Sequence, residues 1–135
     1  MNKQFNEMTE IFGEVIYSYT RKQAIEDGVL VSLSDLFPEH CRQLYKYPVA
    51  VTSAVWSTVE AAGKKDPQGI IWDILWMSQR GITKRIDPTQ HLFKVIINGP
   101  GETEFSRIKT HTFKVMCHPG DEAEPVITIM LPDED

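Results

Sequence analysis

The chain has 135 residues, 41% hydrophobic and 24% charged, with a net charge of −5 and a pI near 5.3. A chain of that length can bury roughly two-thirds of its unfolded surface in one core without staples, so a single domain over residues 1–135 is expected. No apolar run approaches the ~20 residues of a membrane-spanning helix, no signal peptide opens the chain, and the acidic balance disfavours the phosphate backbone of nucleic acids. Two cysteines, Cys41 and Cys117, suit a reducing compartment, so a cytoplasmic protein is expected, with no membrane partner.

Residues 14–19, rich in β-branched and aromatic side chains, read as a short strand. Thr20 follows as an N-cap, and Gln23 three residues on completes a Thr-x-x-Gln capping box. Gly28, just after Glu26-Asp27, suits the left-handed residue that ends such a helix. Residues 29–33 resume as a strand. Residues 34–42 read as a turn or short helix, with Ser34 as cap and Pro38 in the first turns. From Thr52, the positions Val55, Trp56, Val59 and Ala62 recur at helical spacing up to Gly63, and residues 64–67 make the following loop. A second, more apolar helix spans residues 68–80, with Ile71, Ile74 and Leu75 on a wide buried stripe that Trp72 and Met77 can extend, and Gly81 as its stop.

The last third changes to β patterns: residues 91–98, a turn at 99–102, residues 105–117, a turn at Pro119-Gly120-Asp121, and residues 126–131. The predicted fold class is α+β. An antiparallel sheet is expected, made of a C-terminal three-strand meander plus N-terminal strands, with two main helices packed on one face.

No motif dictates a reaction, and four groups of side chains carry what chemistry there is. Tyr17, Tyr19, Arg21, Glu26 and Asp27 surround the capping box. Arg21 suits an anion and the tyrosines a base or sugar, although Glu26 and Asp27 lie about 100° apart on a helix and do not face the same way. His118 and Asp121, in the C-terminal turn, form an acid/base pair that joins them as candidate ligand-binding residues. Trp72 and Trp76, four residues apart on one helix face, make with Arg80 a stacking platform or a hot spot for a protein partner or a second copy of the chain.

The fourth group, His40-Cys41 with Cys117-His118 and His111, holds zinc-type ligands. It lacks C-x2–4-C or H-x3–5-H spacing, and adjacent strand residues point to opposite faces, so no metal or cofactor is assigned. Gly99-Pro100-Gly101 leads into a strand, whereas a phosphate-binding loop leads into a helix.

Several ordered blocks carry a resemblance: Ile11-Phe12-Gly13, Ile16-Tyr17-Ser18-Tyr19-Thr20-Arg21, Ala24-Ile25-Glu26-Asp27-Gly28-Val29-Leu30-Val31, Tyr47-Pro48-Val49-Ala50-Val51-Thr52, Trp72-Asp73-Ile74-Leu75-Trp76-Met77, and Pro119-Gly120-Asp121 with Glu124-Pro125-Val126-Ile127-Thr128-Ile129-Met130-Leu131-Pro132. In these the chain resembles a family of small uncharacterised proteins of bacteria, phages and plasmids, a domain of unknown function. The resemblance implies an accessory protein of mobile DNA and carries no catalytic residue or cofactor with it. The leading expectation is a non-enzymatic protein that binds a protein partner, in counter-defence or regulation. The alternative is a small enzyme or nucleotide-like ligand-binding module using Arg21, Tyr19, His118 and Asp121.

Overall fold

The computed structural model describes residues 19–62, 67–82, 89–98 and 108–134. Helix α1 (Arg21–Glu26) starts as its sequence dictates. Thr20 Oγ1 accepts the Gln23 amide at 3.0 Å, and Gln23 Oε1 accepts the Thr20 amide at 3.0 Å. The helix ends at Gly28, whose φ of +82° is open to glycine at little steric cost. The amides of Gly28 and Val29 turn back onto the carbonyls of Ile25 and Ala24 at 3.2 and 2.9 Å.

Strand β1 (Leu30–Ser32) runs directly into helix α2 (Leu33–Leu36). Ser32 caps that helix, its Oγ accepting the Asp35 amide at 3.3 Å. Ser34, the expected cap, instead accepts the Val49 amide at 2.8 Å, tying the segment to the next strand. Pro38 opens helix α3 (Pro38–Leu44), a position at which a missing N–H leaves no bond unmade.

Strand β2 (Val49–Thr52) was not expected, because four short residues with three of them buried show no alternation to read. Helix α4 (Ser53–Ala62) follows, then helix α5 (Gln68–Ile82). The latter continues through Gly81, the expected stop; a single helical glycine costs only about 1 kcal/mol, which a packed helix absorbs. The chain closes with strands β3 (Gln90–Asn98), β4 (Ile108–Pro119) and β5 (Pro125–Met130). The expected strand at 14–18, the residues assigned to a loop at 64–66, the stop at Gly63 and the turn at 99–102 lie outside the described residues, and Tyr19 belongs to no strand.

The described strands form one sheet in the order β1-β2-β5-β4-β3. The fold is α+β, and its sheet is mixed where a wholly antiparallel one was expected. β3, β4 and β5 are successive antiparallel neighbours, and β1 pairs antiparallel with β2, but β2 pairs parallel with β5, Val49 opposite Ile127 and Val51 opposite Ile129. A parallel pair needs a crossover, and the chain supplies it through α4, α5 and the β3–β4 hairpin.

One hydrophobic cluster joins sheet and helices. Val49, Val51, Phe93, Val95, Ile97, Phe113, Val115, Ile127 and Ile129 from the strands meet Val55 and Val59 of α4 and Ile71, Ile74 and Leu75 of α5. Each fully buried Val, Leu, Ile or Phe contributes roughly 1.5–3 kcal/mol. Within the cluster's reach, Tyr45 binds buried Ser78, Oη to Oγ, at 2.8 Å. The Ser78 hydroxyl donates to the Leu75 carbonyl, so the Tyr45 hydroxyl is the donor between the two. Among the described residues no helix is long and apolar enough to cross a membrane.

Candidate functional site

Two separate places gather the sequence candidates. The first lies where α1 meets the β4–β5 turn. There Asp121 reaches the open end of α1, its Oδ1 accepting the Arg21 amide at 2.7 Å and its Oδ2 the Lys22 amide at 3.0 Å. The tight turn that presents Asp121 closes through the Gly120 amide on the Glu124 carbonyl at 2.6 Å. A Cβ at 120 would meet the Glu124 carboxylate and Val126, so any larger residue there makes these side chains shift.

Arg21 points the other way, into the sheet. Its Nη1 donates to Thr128 Oγ1 at 2.8 Å and its Nη2 to the Ile127 carbonyl at 2.9 Å, so the guanidinium fork clasps β5. Burial lowers its pKa, while Asp121 and Glu124 act in the opposite direction. Thr128 also meets His118 Nε2 at 2.7 Å, and His118 Nδ1 lies 3.1 Å from the Pro119 carbonyl. A carbonyl only accepts, so Nδ1 carries the proton of the neutral ring and Nε2 accepts the Thr128 hydroxyl. With the ring neutral, the order of donation is Arg21 to Thr128 to His118 to Pro119.

Around this chain opens a cleft of about 690 Å³, lined among others by Tyr19, Met116, Met130 and Glu134. The structure thus brings Tyr19, Arg21, His118 and Asp121 together, from positions a hundred residues apart. It also supplies each with an internal partner: Tyr19 Oη donates to Asp27 Oδ2 at 2.6 Å, and that bond raises the phenol pKa. Glu26 does not line this cleft and lies in a neighbouring depression with Lys22, Asp35 and Asp121. Tyr17 lies outside the described residues. His118 and Asp121 share the cleft, but each is bonded elsewhere and not to the other.

The second place is the outer surface of α5. Trp72 and Trp76 stack with ring centroids 6.2 Å apart, and the Arg80 guanidinium lies 5.8 Å from the centre of the Trp76 ring. The row continues onto α3: His40 meets Trp72 edge-on at 5.6 Å, Phe37 lies 6.0 Å from His40, and Trp56 of α4 lies 6.5 Å from Phe37. Trp72 and Trp56 are partly buried, whereas Trp76 remains 41% exposed and its neighbour Met77 38%. Beside them a mainly apolar groove of about 440 Å³ is lined by Asp73, Trp76 and Met77 of α5, Lys94, Val95 and Ile96 of β3, and Thr110 of β4.

A family model matches residues 1–135. The chain belongs to DUF6573, a family of unknown function. Comparison with curated proteins and with solved structures gives no match.

For this DUF6573 protein the two places differ in what they can do chemically. The first is a polar network whose charged members are engaged in holding α1 on the sheet. The second exposes aromatic and aliphatic surface, which water solvates poorly. Among the described residues no group of three or more His, Cys, Asp and Glu is placed to hold a metal ion. Cys41 is buried, which pushes its thiol pKa up, away from the thiolate that acts as nucleophile or ligand. His111 stacks on Phe113 at 5.9 Å, and burial, with Lys109 adding to it, lowers its pKa.

Thr128, Lys94 and Ile96 were not singled out from the sequence, and Met77, a candidate for the buried stripe of α5, is instead 38% exposed. Thr128 sits within an apolar run and becomes informative only once Arg21 and His118 converge on it. The signal for the other surface was present in Leu92-Phe93-Lys94-Val95-Ile96-Ile97. Its inward positions are apolar, as a core strand requires, but its outward positions also carry Leu92 and Ile96, each 58% exposed.

Proposed function

We propose that this protein acts by binding a protein partner, without catalysis, through Trp72, Trp76 and Arg80 of α5 and the groove beside them. The observation that carries the reading is Trp76, left 41% exposed between Met77 and the Arg80 guanidinium at the mouth of an apolar groove. Interface hot spots are made of such groups: Trp and Arg anchors, Met as adaptable filler, and a charged rim here consisting of Asp73 and Lys94. The Trp72 ring beneath fixes the orientation of Trp76, so little side-chain freedom is lost on binding.

The sequence blocks that resemble proteins of bacteria, phages and plasmids support a role as an accessory of mobile elements, in counter-defence or regulation, in the cytoplasm. The ligand-binding alternative at Arg21, Tyr19, His118 and Asp121 has a cleft in its favour. Against it stand the internal hydrogen bonds that already occupy all of these groups. Affinity capture of the tagged protein from a bacterial lysate tests the reading, with proteins and small molecules both identified by mass spectrometry. A stoichiometric protein partner that is lost with Trp76→Ala supports it. A bound small molecule and no protein partner contradicts it and returns attention to the α1 cleft.

A further inference from the structure

The groove beside Trp76 has an unusual lining, because Lys94, Val95 and Ile96 are consecutive residues of one strand. Consecutive strand residues point to opposite faces. Val95 belongs to the core cluster with Phe93 and Ile97, whereas Lys94 and Ile96 face outward. A groove that touches all three runs along the rim of the sheet, where β3 ends the strand order. β3 has nine residues, and among the described residues only β4 pairs with it.

A sheet edge left open in this way is ordinarily shortened, charged or covered. Here it is long, flanked by exposed Leu92 and Ile96, with one charge between them at Lys94.

We infer that the partner supplies an extended segment that adds to β3 as a further strand, with an acidic side chain opposite Lys94 and apolar ones over Leu92 and Ile96. The inference rests on the protein-binding reading of the groove and names what enters it. Main-chain pairing with β3 supplies affinity, and alternate side chains meeting Trp76 and Met77 on one side and Ile96 on the other supply selectivity. Charge chooses the occupant. Among the described residues that line the groove, Lys94 is the cation and Asp73 the acid. A second copy of this chain fits poorly, since antiparallel pairing of two β3 strands centred on residues 93–95 sets the two Lys94 side chains opposite or diagonal to one another. The net charge of −5 repels acidic partners at long range, but salt screens that field beyond about 10 Å at 0.1 M, leaving contact with Lys94 to decide.

The test is selection of short random peptides, displayed one per particle, on the full-length protein, repeated on Lys94→Glu and Trp76→Ala. The variants change exposed side chains. The expected winners carry Asp or Glu between Val, Ile or aromatic residues at alternate positions. Lys94→Glu should reverse the preference to Lys or Arg, lowering affinity for the original winners about tenfold or more. A synthetic winner should also slow hydrogen exchange at alternate backbone amides within residues 90–98. Failure to enrich any peptide, winners with helical spacing of apolar residues, or a charge preference unmoved by Lys94→Glu would each overturn strand addition. Winners lost with Trp76→Ala but indifferent to Lys94→Glu leave the binding groove standing and remove the strand. Winners reversed by Lys94→Glu yet indifferent to Trp76→Ala remove the Trp76 reading, and the inference built on it.

Discussion

The backbone amide of Arg21 donates to Asp121 Oδ1 at 2.7 Å, so a carboxylate a hundred residues away closes the first turn of α1. Thr20 satisfies the Gln23 amide and Asp121 those of Arg21 and Lys22, leaving the start of a short helix fully bonded. The Arg21 side chain then ties the same helix to β5 through Thr128 and Ile127.

Asp121→Ala should therefore destabilise the protein by about 1 kcal/mol, the ordinary worth of a helix cap. Urea denaturation measures it. An unchanged midpoint would show that α1 is held without its cap.

Arg21→Lys should be poorly tolerated despite keeping the charge. An ammonium cannot serve both Thr128 Oγ1 and the Ile127 carbonyl from one planar fork, and losing a part-buried hydrogen bond to a charged donor costs about 1.5–3 kcal/mol. The same denaturation curves report it. If Arg21→Lys and Arg21→Ala both kept wild-type stability, Arg21 would be free for a ligand, and the α1 cleft would regain its claim.

Much of this was legible where the signal is local. Thr20, Gln23 and Gly28 announce α1 because cap, box and terminator lie within one short stretch, and α4 and α5 follow from apolar positions at helical spacing. What escaped depends on distance. Nothing in Pro119-Gly120-Asp121 says that its carboxylate caps a helix near the other end of the chain, and nothing in Val49-Ala50-Val51-Thr52 says that it lies parallel to β5. Trp72 and Trp76 could be placed on one face of a helix from their spacing. Which of the two stayed exposed depended on how α3 and β3 pack around them.

Tyr45 gives a pH signature. Burial pushes its phenol up from 10.0 to about 12, against the opposing effect of its bond to Ser78, while the unfolded chain titrates at the ordinary value. The unfolded state thus loses its proton first, and stability falls as pH rises from about 10 to about 12, by roughly 2 kcal/mol. Below pH 10 the contribution is fully present. Tyr45→Phe should flatten that alkaline limb in denaturation measured across the range; a limb of unchanged slope would locate the titration elsewhere.

Gly28→Ala should cost about 1 kcal/mol from backbone conformation alone. Its φ is +82°, yet nothing lies within 4 Å of the Cβ it would gain, so no clash adds to the strain. A thermal melt that matches the wild type would show that the end of α1 relaxes freely.

In the proposed function the exposed aromatic face of α5 binds a protein and the α1 cluster holds the fold. The most direct test is capture of the partner by the wild type, Trp76→Ala and Arg21→Ala proteins side by side, with a melting curve for each. Trp76→Ala should keep its melting temperature and lose the partner, while Arg21→Ala should lose stability and, at a temperature where it remains folded, keep the partner. The reverse pattern, with binding lost from a stable Arg21→Ala protein and retained by Trp76→Ala, would contradict the proposed function.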